Sequence, residues 1–129
     1  MKRIEVAVGI LFDDAGRVLV GQRVVQDLYY QKWEFPGGKL EKGESAAAAL
    51  VREFQEEVGI TIDVSEPLMQ LSHDYSDRHV RLHIRTIREF QGKVKSMEGQ
   101  ALKWVALEDL DDLDFLQGNA AIIEKLKCG

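Results

Sequence analysis

The segment from Ser45 to Val58 constrains the fold more than any other part of this sequence. It contains no proline or glycine, includes four consecutive alanines and repeats apolar residues at helical spacing. Ser45 is a suitable N-cap, and Gly59 follows where a left-handed C-terminal cap belongs. The pattern therefore predicts an α-helix with both ends marked. Its apolar face must pack against another element and consists of Ala47, Leu50, Phe54 and Val58.

Strand-like segments precede and follow this helix. Residues 4–12 and 17–20 are rich in β-branched residues and flank a turn-forming sequence at residues 13–16, which predicts a β-hairpin. The Pro-Gly-Gly sequence within residues 33–38 predicts a loop with an unusual backbone path. Further elements are expected as strands at residues 68–75, 80–90 and 100–107, an acidic solvated connector at 108–114 and a closing helix at 120–127. Uneven alternation of strands and helices favours a mixed sheet covered on both faces, in the α/β or α+β class.

The length of 129 residues is that of one domain, so we expect a single domain over residues 1–129. Against 17 Lys and Arg there are 22 Asp and Glu, which gives a net charge of −5. This sign disfavours binding to a nucleic acid polymer through its phosphates. Binding of a small nucleotide is compatible with this net charge.

The single cysteine, Cys128, excludes an intrachain disulfide, and a cytoplasmic setting is expected. The longest uninterrupted apolar stretch, about residues 6–12, is too short to cross a bilayer. We therefore expect no membrane association. A monomer or weak dimer is the expected assembly.

Three carboxylates, Glu53, Glu56 and Glu57, cluster on the side of the predicted helix opposite its apolar face. Like charges three and four residues apart destabilise an isolated helix, which indicates that a partner compensates them. A solvated polar face is the alternative interpretation.

Small residues adjoin these carboxylates. Ala46 and Ala49 leave room beside the helix, and Gly37 and Gly38 lie just upstream. Hard oxygen ligands beside open space suit Mg²⁺ or Mn²⁺. Zinc is disfavoured because the histidines lack a cysteine or a third partner nearby, and we interpret them as surface strand residues: His73, His79 and His83.

A longer motif includes the same carboxylates. Gly38 is followed after five residues by Glu44, and after seven more residues comes the sequence REFQEEVGI at residues 52–60. This spacing matches the Nudix box at every fixed position. The chain resembles the Nudix hydrolase family over nearly its whole length. Outside the box, the resemblance rests on AVGI at 7–10, EFPGGK at 34–39, DRH at 77–79, EGQ at 98–100 and KLK at 125–127. The resemblance implies a Nudix α/β/α sandwich with a mixed β-sheet and a Mg²⁺-dependent nucleoside triphosphate pyrophosphohydrolase.

The resemblance also implies the catalytic residues. The implied metal ligands are Glu53, Glu56, Glu57, Glu98 and a carbonyl of Gly37 or Gly38. Glu44 and Glu53 would orient or deprotonate water, and spacing leaves open which of them is the base. Arg52 would pair with Glu56 one turn on and hold the carboxylates in place. Lys39 would meet phosphate or base oxygens.

The nucleobase is not specified by the box. The wider match is to the branch of the family that hydrolyses 8-oxo-dGTP to 8-oxo-dGMP and pyrophosphate, by water attack at the β-phosphorus, and so sanitises the nucleotide pool. The asparagine of that branch falls on Asn119, whose amide can accept from N7–H and donate to O6 of 8-oxoguanine. An N-cap of the closing helix is its alternative role. The implied substrate-binding residues are Arg23, Glu34, Phe35, Tyr75, Arg78 and Asn119.

Three other functions compete with this one. A pyrophosphohydrolase of another small substrate, such as a CTP-type nucleotide, ADP-ribose or a dinucleoside polyphosphate, would need the same helix and a different pocket. A non-catalytic nucleotide sensor has little reason to keep closely spaced repelling carboxylates. A scaffold with a merely solvated helix does not account for the glycine loop and the box together.

Overall fold

The computed structural model describes residues 3–128. Its strands and α-helices follow in the order β1 (Arg3–Leu11), β2 (Val18–Gln22), β3 (Trp33–Glu34), β4 (Gly37–Lys39), α1 (Ala46–Val58), β5 (Glu66–Tyr75), β6 (Arg78–Ile87), β7 (Leu102–Val105) and α2 (Ala120–Cys128). Two 3₁₀-helices, Leu107–Asp112 and Gln117–Asn119, precede α2. No helix in this part of the chain combines the length and the apolar character needed to span a bilayer.

The strands form two sheets. The first has the order β4-β1-β6-β5, with β1 parallel to β6 and the other pairs antiparallel. The second is antiparallel and has the order β3-β2-β7. The prediction of an α+β fold with a mixed sheet is confirmed.

The hairpin predicted at residues 4–20 is only partly correct. Its turn forms, because Asp13 Oδ1 accepts the N–H groups of Ala15 and Arg17 at 2.9 and 2.8 Å. The strands then separate into different sheets and share only the bridge between Phe12 and Val18. The apolar run of β1 is buried on both faces and needs two flanking strands, which a two-stranded hairpin does not provide.

Helix α1 and its two caps are confirmed. Ser45 Oγ accepts the N–H of Ala48 at 3.1 Å, and Gly59 is left-handed with φ 69°. The predicted apolar face is wrong by one alanine, because Ala49 is fully buried while Ala47 is only half-buried. The space beside Ala49 is thus filled by the sheet, and the residues buried on α1 are Ala49, Leu50, Phe54 and Val58.

Strand β1 separates two apolar clusters. Ala7 and Leu11 face α1, whereas Val8 and Ile10 belong to the cluster that contains α2. Residues of α2 at helical spacing close that second cluster: Ile122, Ile123 and Leu126. The two helices therefore cover opposite faces of the strands, as expected for an α/β/α sandwich.

The prediction that the acidic connector is a solvated loop is wrong. Residues 107–112 form a 3₁₀-helix in which Leu110 is fully buried and the acidic side chains are exposed. Leu107, Leu110 and Leu113 recur every third residue, which matches the 3₁₀ repeat and places all three against the α2 cluster. This helix also accounts for the end of β7 at Val105, two residues earlier than predicted.

Candidate active site

Arg52 lies at the centre of a carboxylate network on α1. Its Nε and Nη2 donate to the two carboxylate oxygens of Glu44 at 2.9 Å, and its Nη1 donates to Glu53 Oε1 at 2.6 Å. Nη2 also donates to the Lys39 carbonyl at 3.0 Å. Glu56, one turn on, lies 3.5 Å from Nη1. The planar guanidinium thus links the helix, the preceding loop and β4 in a geometry that a lysine does not reproduce.

Glu44 and Glu56 lie outside the two concave regions described next. The hydrogen bonds from Arg52 and then from the Glu41 N–H lower the pKa of the Glu44 carboxyl to about 2. A carboxylate held in this way is a weak base, so it is suited to orienting Arg52 rather than to accepting a proton. The side chain of Glu56 is 56% exposed. The structure therefore does not bring Glu56 to the predicted metal ligands that line the cleft.

A cleft of about 220 Å³ opens beside α1 and brings together the predicted ligands Glu53, Glu57, Glu98 and Gly37. Burial raises the pKa of the Glu57 carboxyl to about 9, and its hydrogen bond with Glu53 and the charges of neighbouring carboxylates add to this effect. Among the described residues, its buried Oε2 has no hydrogen-bond partner. A buried, unsatisfied carboxylate oxygen beside other carboxylates indicates a place for a cation.

The donor set of this cleft fits Mg²⁺ or Mn²⁺. Both ions prefer carboxylate and carbonyl oxygens, and the cleft is lined by Gly37 and by four carboxylates, those of Glu34, Glu53, Glu57 and Glu98. Within residues 3–128, no three His, Cys, Asp or Glu side chains already converge on a single metal position.

Gly37 and Gly38 bring the β4 backbone unusually close to its neighbours. A Cβ atom on Gly37 would lie 2.0 Å from the carbonyl oxygen of Ala7. One on Gly38 would lie 2.4 Å from Cδ of Glu53. Only glycine allows this backbone to pass directly beside the Glu53 carboxylate.

A cavity of about 430 Å³ adjoins the cleft and shares with it Arg23, Val25, Glu34 and Gly37. Arg23 Nη1 donates to Glu34 Oε2 at 3.3 Å. Burial raises the pKa of the Glu34 carboxyl, against the opposing charge of Arg23. All six predicted substrate-binding residues and Lys39 line this cavity: Arg23, Glu34, Phe35, Lys39, Tyr75, Arg78 and Asn119.

Asn119 is buried and faces the cavity. Its backbone N–H and its Nδ2 both point back to the Leu116 carbonyl, at 2.9 and 3.4 Å. An N-cap asparagine instead accepts, through its side-chain oxygen, an N–H from the turn that follows. Asn119 also stands at the end of a 3₁₀-helix that runs directly into α2. The geometry therefore disfavours the N-cap interpretation.

Asp27 and Tyr29 also line the cavity and were missed by the sequence analysis. Asp27 Oδ1 accepts the Tyr29 N–H at 2.9 Å, and its Oδ2 accepts from Arg23 at 2.7 Å. Tyr29 packs edge-on to Tyr75 with ring centroids 5.1 Å apart, and its hydroxyl donates to Asp77 at 2.8 Å. An aspartate that can bond the N–H two residues on is a recognisable turn signal, and it places Tyr29.

A larger cavity of about 590 Å³ lies beyond the C-terminal ends of β1 and β6. It is bordered by Phe12, Asp63 and Arg88 and includes none of the predicted site residues. We therefore place the candidate active site at the cleft and the cavity next to it.

Comparisons with known proteins identify the family. The profile of the NUDIX domain family matches residues 7–125. The 8-oxo-dGTP diphosphatase of Escherichia coli K12 is 37% identical over 127 residues, which are 98% of each protein. The CTP pyrophosphohydrolase of the same organism is 40% identical over 109 residues, covering 84% of this chain and 80% of the relative.

Solved structures show the same fold. A MutT structure from work on Aliivibrio salmonicida and Vibrio cholerae superposes with a TM-score of 0.83 at 32% identity, covering 100% of this chain and 99% of the other. The E. coli ORF135 protein superposes with a TM-score of 0.87 at 35% identity, covering 99% and 91%. By sequence, fold and the arrangement of its box residues, this chain belongs to the Nudix hydrolase family.

Proposed function

We propose that the chain hydrolyses 8-oxo-dGTP to 8-oxo-dGMP and pyrophosphate. The proposal rests on the junction between the carboxylate cleft and a cavity large enough for a nucleobase. Because the two regions share Arg23, Glu34 and Gly37, one nucleotide can occupy both, with its base in the cavity and its phosphates at the carboxylates. The 8-oxo-dGTP diphosphatase among the relatives, which matches over 98% of the chain, supports this substrate.

Glu53, Glu57, Glu98 and a carbonyl of Gly37 or Gly38 would hold Mg²⁺ or Mn²⁺. When bound, such an ion neutralises phosphate oxygens and lowers the pKa of coordinated water. The unsatisfied Oε2 of Glu57 supports this ligand set.

The reaction proposed is an in-line substitution at the β-phosphorus. The oxygen of water bonds to this phosphorus while its bond to the oxygen that bridges to the α-phosphorus breaks. The nucleoside monophosphate leaves with the bridging oxygen, and pyrophosphate is the other product. Positioning and electrostatic stabilisation carry most of the acceleration in such reactions.

The proton released by water goes to Glu53 in this proposal. Glu53 lines the cleft, whereas Glu44 lies outside it and has both oxygens bound by Arg52. Arg52 Nη1 fixes the Glu53 carboxylate at 2.6 Å. Lys39 lines the adjoining cavity and offers a positive charge to the leaving monophosphate.

Asn119 supplies base discrimination in this proposal. Its amide can accept N7–H and donate to O6 of 8-oxoguanine, whereas N7 of guanine presents a lone pair instead. An unsatisfied pair of this kind costs about 1–3 kcal/mol. Phe35 and Tyr75 offer apolar contact with the ring from the cavity wall.

A CTP-type substrate is the second candidate. The CTP pyrophosphohydrolase relative is 40% identical, which is the observation that favours it. The cytosine edge presents an acceptor, N3, beside a donor, N4–H₂, and an asparagine amide can pair with both. Asn119 alone therefore does not separate cytosine from 8-oxoguanine.

The test is Mg²⁺-dependent hydrolysis of 8-oxo-dGTP, dGTP and CTP, compared as kcat/KM for the native protein and two variants. We expect 8-oxo-dGTP to be preferred over dGTP, and Asn119→Ala to reduce this preference by about 5- to 150-fold, which corresponds to the 1–3 kcal/mol above. Gln117→Ala, at an exposed neighbouring position, should leave it unchanged. Equal rates for 8-oxo-dGTP and dGTP would remove the sanitising function, and a higher rate for CTP would favour the second candidate.

A further inference from the structure

The loop between β6 and β7 brings Glu98 to the C-terminal end of α1. The N–H of Met97 donates to the Glu57 carbonyl at 3.0 Å, and the N–H of Lys95 donates to the Val58 carbonyl at 3.0 Å. Carbonyls in the last turn of a helix have no partner within the helix. The loop satisfies two of them and is thereby docked beside Glu57.

Gln100 links this loop to the helix from inside the cleft. Its Nε2 donates to the Glu57 carbonyl at 3.3 Å, and its Oε1 accepts the Glu98 N–H at 3.1 Å. One amide side chain therefore connects the backbones of two proposed metal ligands that come from different elements. Gln100 is half-buried and lines the same cleft as both of them.

Ser96 holds the Gln100 side chain in this orientation. Its Oγ lies 2.7 Å from Gln100 Oε1 and 2.6 Å from the Gln100 carbonyl oxygen. A hydroxyl has one proton, so it is shared between these acceptors. Gly99, with φ 79°, lies between Glu98 and Gln100. Because glycine has wide conformational freedom, Glu98 would be free to point away from the cleft if these hydrogen bonds were absent.

We propose that Gln100 is a positioning residue of the metal site, which fixes Glu98 against Glu57. This inference rests on the metal assignment made under the proposed function. Hydrogen bonds that orient ligands from outside the coordination shell commonly contribute about 10- to 100-fold to metal affinity or activity. Gln100 contributes by this route, through Glu98.

The experiment is a Mn²⁺ titration of the nucleotide-free protein, followed by electron paramagnetic resonance. Gln100→Met keeps the length of the side chain and removes its hydrogen bonds, so we expect Mn²⁺ affinity to fall by about 10- to 100-fold. The kcat should fall with it, whereas the ratio of kcat/KM between 8-oxo-dGTP and dGTP should stay unchanged, since Gln100 does not line the base cavity. Gln70→Met is the matched control, because Gln70 also makes a side-chain hydrogen bond, to His83 at 3.0 Å, away from the cleft.

Two further variants separate the possible failures. Ser96→Ala keeps glutamine at position 100 but removes the hydroxyl that orients it, so Mn²⁺ affinity should fall in this variant too. It therefore tests the positioning role if Gln100→Met does not fold. Glu98→Gln tests the ligand itself. Unchanged Mn²⁺ affinity in Glu98→Gln would overturn the metal assignment, while a loss there without a loss in Gln100→Met and Ser96→Ala would overturn only the positioning role.

Discussion

Two glutamates of this site have different pKa values because their surroundings differ. Arg52 and a backbone N–H lower the pKa of Glu44 to about 2, whereas burial and neighbouring carboxylates raise that of Glu57 to about 9. The first carboxyl is thus a fixed anion that orients a guanidinium. The second is a buried group whose charge needs compensation, which is what a cation ligand provides.

Replacing Arg52 by lysine tests whether catalysis depends on the guanidinium fork, the set of planar N–H donors that bind Glu44 and Glu53 together. Lysine keeps the charge but cannot bind both oxygens of Glu44 and also reach Glu53, so we expect kcat to fall by about 10- to 100-fold. The variant should still unfold cooperatively, since Arg52 belongs to neither apolar cluster. Steady-state kinetics and thermal unfolding measure the two effects.

A second arginine serves as the control. Arg85 donates to Ser65 Oγ and to the Ser65 carbonyl at 2.7 and 2.8 Å, at a position outside both concave regions of the site. Arg85→Lys should therefore keep the native kcat. An Arg52→Lys variant as active as Arg85→Lys would contradict the role assigned to the fork.

Single residues were predictable where a motif fixed their spacing. The box identified Glu53 and Glu57, and the structure brings both to one cleft. The turn at Asp27 carried a recognisable signal, but the place of Tyr29 in the cavity depends on a contact with Tyr75, far along the chain. Such contacts leave little trace in a linear pattern.

The packing of α1 on β1 depends on a glycine. A Cβ atom on Gly9 would lie 2.4 Å from Cε1 of Phe54 and 3.0 Å from Cδ1 of Ile87, and both of these side chains are fully buried. We expect Gly9→Ala to lower the free energy of unfolding by about 1–3 kcal/mol through overpacking. Urea denaturation would measure it.

The same experiment has an internal check. Gly21→Ala is the control strand glycine, since its Cβ would meet nothing closer than 3.4 Å. The double variant Gly9→Ala with Phe54→Leu replaces the opposing ring by a smaller side chain. It should recover part of the lost free energy of unfolding, as a favourable coupling energy. Additive losses would show that the ring is not what Gly9 accommodates.

Elements were predictable where local chemistry defines their ends. The α1 caps, Ser45 and Gly59, act on adjacent backbone groups and appear as predicted. The hairpin partner of β1 was predicted wrongly, since the choice of partner strand depends on distant segments such as β6. The leucines at every third position of residues 107–113 carried a usable 3₁₀ signal, which the acidic character of the connector obscured.

For the whole molecule, the net charge of −5 says little about the site. Five acids lie at residues 108–114, and without them the remaining charges balance. Asp114 pairs with Lys32 at 2.9 Å, and Asp111 pairs with Lys127. Around the site, Arg23, Lys39 and Arg78 line a cavity next to the carboxylate cleft, so both signs of charge would face a triphosphate bound as proposed.

The division into cleft and cavity predicts that catalysis and selectivity are separable. Glu53 lines only the cleft and Asn119 lines only the cavity. Removing a general base costs about 10²- to 10⁴-fold, so Glu53→Gln should lower kcat by that factor for 8-oxo-dGTP and dGTP alike. The ratio of kcat/KM between the two nucleotides should stay unchanged, in contrast to Asn119→Ala.

Parallel kinetics of the two variants on both nucleotides would test this separation, with cooperative thermal unfolding as the check that each variant folds. Near-native kcat in Glu53→Gln would sink its assignment as the base. A changed ratio in Glu53→Gln would show instead that the two regions act as one, through the residues they share, Arg23 and Glu34. The geometry favours separation, because Arg52 fixes Glu53 from the helix side, whereas Asn119 bonds to Leu116 in the segment leading to α2.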